Sequence, residues 1–97
     1  MSLSKKNSRP ISYNGLDFRY AVFLNSGWYD VTVQIAEGKG QKLASQFKIP
    51  ITDQTSITPK DVVKAIQFAM KNGWLPNTNK EKPFKTRFES NRFMIVP

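Results

Sequence analysis

The sequence predicts an α+β two-layer sandwich in the order β-β-β-α-β-β, a mostly antiparallel sheet with one helix packed across one face. Apolar residues alternate with period two in 16–24, 28–35 and 43–51, and again in 84–95. Only 58–73 carries apolar residues at helical spacing with a start and a stop written at its ends. Short turns bearing Gly, Ser or Asn separate two pairs of strands, which makes each pair a hairpin.

Residues 1–12 are polar and aperiodic, and are expected to form a flexible basic N-terminal arm carrying Lys5, Lys6 and Arg9. Residues 13–97 are then a single α+β domain. In the first strand Leu16, Phe18, Tyr20, Val22 and Leu24 point inward; after the turn at Ser26 and Gly27, Tyr29, Val31, Val33 and Ile35 do so in the second. Inward residues must pair with inward residues, because a slip of one position turns a whole strand over. A two-residue loop satisfies this with Asn25 opposite Trp28, Val22 opposite Val31 and Tyr20 opposite Val33. On the outer face Phe23 then stands opposite Asp30.

Leu43, Ser45, Phe47, Ile49 and Ile51 share one side of a third strand. Pro50 removes a ladder donor, which places this strand at a sheet edge or ends it near Ile49. On that reading the C-terminal hairpin joins the sheet beside the first strand.

The helix opens with Thr58 as N-cap, Pro59 at the first helical position and Asp61 where a capping box puts its acid. Gly73 suits the left-handed position beyond its end, and Trp74 is expected to fold back on Phe68 or Ala69. Val62, Val63, Ile66, Ala69 and Met70 form the inward stripe. In the closing hairpin Phe84, Thr86, Phe88, Phe93 and Ile95 face inward. Phe88 stands opposite Phe93, and Glu89 opposite Arg92 as a favourable charge pair.

Composition narrows the chemistry. The 97 residues hold no Cys and no His, which excludes disulfides, thiol nucleophiles, His-based triads and the usual zinc ligand sets. Asp17 and Asp30 share the outer face but stand far apart along the ladder, so no carboxylate pair is built. The run Glu-Gly-Lys-Gly-Gln-Lys at 37–42 lacks the spacing of a phosphate-binding loop and no helix follows it. No apolar run approaches the ~20 residues of a membrane span, and no apolar segment follows the N-terminal cations, so a cytoplasmic location is expected. Fifteen Lys and Arg against seven acids give a net charge of +8, which favours acidic partners.

Residues 57–74, with Lys82, Pro83 and Phe84 and the closing stretch from Asn91, resemble small bacterial proteins. That resemblance implies no residue role.

One helix covers one face only, so the other is open and carries Phe23, Trp28, Arg19, Lys48, Arg87 and Arg92. Phe23 and Trp28 gather at one hairpin end, whereas Arg87 and Arg92 belong to the other hairpin. Exposed Phe, Trp and Arg are the usual anchors of protein docking. The expected function is therefore a non-catalytic binding module, an accessory or immunity-type subunit, that docks an acidic protein partner through this face. Its alternative is binding of single-stranded RNA or DNA, with rings stacking bases and cations following phosphates. Lys60, Lys64 and Lys71 on the outer side of the helix form a secondary basic patch. A homodimer is the third outcome that exposed aromatics allow. No cofactor and no metal are expected.

Overall fold

The computed structural model describes residues 8–36, 40–49, 57–78 and 82–96. Six strands and one helix follow in order: β1 (Arg9–Tyr13), β2 (Leu16–Asn25), β3 (Trp28–Ile35), β4 (Leu43–Lys48), α1 (Pro59–Lys71), β5 (Phe84–Glu89) and β6 (Arg92–Ile95). They build one sheet whose spatial order equals the chain order. Every neighbouring pair is antiparallel except β4 and β5, which run parallel because α1 carries the chain back across the sheet between them.

The hairpins form in the expected registers. Asn25 faces Trp28, Val22 faces Val31 and Phe23 faces Asp30; Phe88 faces Phe93 and Glu89 faces Arg92. Glu89 closes its ion pair with Arg87 on its own strand, however, at 3.9 Å.

β1 corrects the expected arm. Arg9 to Ser12 belong to the sheet, with Ile11 and Tyr13 packed on the core. Residues 1–7 of that arm lie outside the described residues. The turn at Asn14 and Gly15, with φ of +53° and +80°, has the two positive φ values of the hairpin turn that follows strand twist. Tyr13 and Leu16, Ile11 and Phe18, and Arg9 and Tyr20 then exchange the ladder bonds. Pro10 falls between them, its nitrogen turned to the free edge, where its missing N–H costs no ladder bond.

The strand order corrects a second expectation. The C-terminal hairpin joins beside β4, not beside β2, whose other flank β1 already occupies. β4 ends at Lys48, before Pro50, so both of its edges keep their donors and accept neighbours.

The helix carries its complete capping box. Thr58 Oγ1 accepts from the Asp61 amide, and Asp61 Oδ2 accepts from the Thr58 amide at 2.9 Å. At its other end Gly73 adopts φ +108°, and the Trp74 amide donates to Ala69 O at 2.9 Å, the long bond of a Schellman cap. Val62, Ala65, Ile66 and Ala69 are buried, facing Phe18, Tyr20, Val31, Val33, Leu43 and Phe47 from the sheet. Trp74 does not fold onto Phe68. Its ring lies 5.7 Å from that of Phe18, while Phe68 stacks on Phe93 at 5.4 Å. The reason is position: Trp74, beyond the helix end, reaches the buried ring of Phe18 on β2, whereas Phe68 lies on the flank toward β6.

Candidate docking face

Alternation along each strand leaves the face away from α1 with a defined set of side chains. The registers arrange them in rows that cross the sheet. One row holds Ala21, Thr32, Ala44 and Lys85, and the next holds Phe23, Asp30, Gln46, Arg87 and Met94. Lys48 and Glu89 pair in the row beyond, which Asn25 and Trp28 extend on one side and Arg92 on the other.

The parallel pairing of β4 with β5 thus merges what the sequence kept apart. Arg87 stands beside Gln46, its Nε donating to Gln46 Oε1 at 3.4 Å, and the two hairpins present one continuous end of the sheet. Phe23, Trp28, Lys48, Arg87 and Arg92 all lie there. Arg19 does not. It sits four residues along β2 from Phe23, about 13 Å away along the strand. Its Nε and Nη2 donate to the hydroxyl and main-chain oxygen of Ser8, each at 2.7 Å.

Trp28 is held rather than free. Its Nε1 donates to Asp30 Oδ1 at 2.8 Å, Asn25 Nδ2 donates to the other Asp30 oxygen at 2.9 Å, and Lys48 Nζ lies 5.2 Å from the ring centre. This is a cation–π contact on a half-buried indole. Phe23 differs, because 53% of it is exposed.

Sequence reading missed a depression beside Phe23. The small residues Thr32 and Ala44 are part of its lining, Phe23, Asp30 and Gln46 stand at one side, and Lys85 and Val96 at the other, with a volume of about 430 Å³. Its signal was present in the small residues Ala21, Thr32 and Ala44, of which the last two line it. These fall into one row only once the pairing of three strands is known.

The face carries Arg19, Lys48, Lys85, Arg87 and Arg92 against Asp17, Asp30 and Glu89. Its cations are gathered toward β4, β5 and β6. Lys60, Lys64 and Lys71 lie on the opposite side of the molecule, exposed on α1. Among the described residues no three of Asp, Glu, His or Cys gather as a metal site would require. No described helix is long and apolar enough to cross a membrane.

No family model, curated protein or solved structure matches the chain, so no function reaches it by similarity.

Proposed function

We propose that this protein is a non-catalytic binding module that docks a protein partner with the open face of its sheet. The observation that supports this reading is Phe23, an exposed ring at the rim of a depression large enough for one or two side chains, with Lys85 also in its lining and Arg87 next to Gln46 in the row of Phe23. A partner side chain enters the depression, Phe23 covers it, and the cations guide an acidic surface. Trp28 supports the rim: fastened by Asp30 and Lys48, it gives the hairpin end a fixed shape.

Single-stranded nucleic acid fits this geometry less well. Base stacking needs free ring faces. Here Lys48 stands over Trp28, and Phe23 is the ring the face leaves open.

The test places a photo-crosslinking residue at position 23, and separately at position 46, in cells. Position 60 on α1 is the control. A single protein captured at 23 and 46 but not at 60 is the expected result. Capture of RNA at those positions, or no adduct at either, would overturn the proposal. Fluorescence titration with mixed-sequence RNA and single-stranded DNA at low and near-physiological salt checks the same point. No saturable quenching is expected, whereas steep salt-dependent quenching would favour the nucleic-acid reading.

A further inference from the structure

The two edges of the sheet are unlike. On β1 the outward-facing position 10 is proline, and Ser12 beside it spends its hydroxyl on Asp17 Oδ1 at 2.8 Å. Proline is a usual way of blunting an edge against further pairing. β6, Arg92–Ile95, holds no proline.

The Val96 amide donates to Lys85 O at 3.0 Å, which sets the parity of the last ladder. Arg92, Met94 and Val96 turn their main-chain groups toward β5. Phe93 and Ile95 turn theirs outward. Among the described residues no strand pairs with that edge.

Both flanks of the edge are cationic. On the open face stand Arg92 and, one strand in, Arg87. On the helix face Phe68, stacked on Phe93, lines a shallow groove of about 290 Å³ between Lys64 and Lys71. Ile95 is 45% exposed on that same face. β5 and β6 carry a single acid, Glu89, and Arg87 already engages it.

We infer that β6 is a docking edge for an extended acidic segment, which adds to the sheet as a seventh strand antiparallel to β6. Residues of that strand opposite Phe93 and Ile95 exchange main-chain bonds with them and lie on the helix face. Those positions take apolar side chains, over Phe93, Ile95 and Phe68. The alternate positions fall beside Arg92 and Met94 on the open face and take carboxylates. The recognised segment therefore alternates acidic and apolar residues, held by β-augmentation with side-chain selection on both faces. A second copy of this chain is a poorer occupant, because it brings the same +8 charge. This edge is distinct from the depression beside Phe23, and the inference does not rest on the function proposed above.

The experiment titrates the full chain with the capped heptapeptide acetyl-Glu-Val-Glu-Val-Glu-Val-Glu-amide and follows backbone amide shifts. Saturable shifts at the Phe93 and Ile95 amides are expected, with binding at least about tenfold weaker when the three valines are N-methylated. A peptide with Lys in place of Glu is expected not to bind. Ile95→Pro transplants the device of β1: it removes an outward N–H without breaking the ladder to β5, and is expected to abolish binding while circular dichroism stays unchanged. Phe23→Ala is expected to leave binding intact, which separates this edge from the open-face depression. Equal binding by the N-methylated peptide, shifts centred on Phe23 and Trp28, or no binding at all would each overturn the inference. So would protein-concentration-dependent shifts at Phe93 and Ile95 without peptide, which would give the edge to a second copy.

Discussion

Trp74 Nε1 donates to the main-chain oxygen of Gln41 at 3.0 Å, a buried bond between the segment after α1 and the segment before β4. Gln41 in turn donates from Nε2 to Lys82 O at 3.1 Å, just ahead of β5. Three chain segments meet at this point, and the indole, 1% exposed, seals it against Phe18. The parallel crossover is thereby locked at the end where α1 hands the chain to β5.

Replacing Trp74 tests that lock. Trp74→Phe keeps a buried ring but leaves the Gln41 oxygen unpaired, and is expected to cost about 1–3 kcal/mol. Trp74→Ala adds a cavity and is expected to cost about 3–5 kcal/mol, a large part of the stability of a domain this size. Urea unfolding followed by circular dichroism measures both, and a loss below about 1 kcal/mol for Trp74→Ala would contradict the role.

Glycines sharing positive φ are expected to differ in cost. Gly27 (φ +87°) has open space around a would-be Cβ, so Gly27→Ala should cost only the left-handed backbone, about 1–2 kcal/mol. At Gly40 (φ +97°) a Cβ would overlap the carbonyl oxygen of Pro76, which is main chain and cannot swing aside. Gly40→Ala is expected to destabilise by clearly more than Gly27→Ala in the same thermal melt. Equal losses would show that the approach of Gly40 to Pro76 is not tight.

Thr86 Oγ1 donates to Ser45 Oγ at 2.8 Å across the parallel β4–β5 pair, both side chains being buried on the core side. Ser45→Ala leaves the Thr86 hydroxyl without this acceptor and is expected to cost about 1–3 kcal/mol. Ser45→Ala combined with Thr86→Val removes both polar groups, and its loss should be smaller than the sum of the two singles. Strict additivity in the double-mutant cycle would mean that the pair carries no coupling.

At the start of α1, Thr58→Ala is expected to cost about 1 kcal/mol by removing the N-cap acceptor. Asp61→Ala should cost a similar amount. Since each residue satisfies the other's amide, the double variant should lose less than the sum, measured by chemical denaturation.

The parts of the fold legible in the sequence were those set by near neighbours. The Ser26–Gly27 turn placed Phe23 opposite Asp30, and Thr58 and Asp61 marked the helix start, because registers and caps are decided within a few residues. β1 was missed, although Asn14-Gly15 between Ile11, Tyr13 and Leu16, Phe18 is a strong hairpin signal. The polar run before Ile11 and the proline at 10 obscured it, although an edge strand tolerates both. Of the candidate site, the face and its aromatic residues could be read from alternation, but the depression beside Phe23 could not.

By itself, then, the sequence determined the strands from Leu16 onward, which segment is the helix, which face the side chains of those strands take, and that the chain is strongly basic. The tertiary structure alone decided that β5 lies parallel to β4, that Trp74 meets Phe18 and Gln41 rather than Phe68, and that Phe23, Lys48, Arg87 and Arg92 share one end of a face. The division has a physical cause. Periodicity and turn chemistry are local and leave a trace in a few consecutive residues. Any strand with one apolar face could pair with several others, so the order is settled by which edges stay free once the helix has crossed and the core has closed.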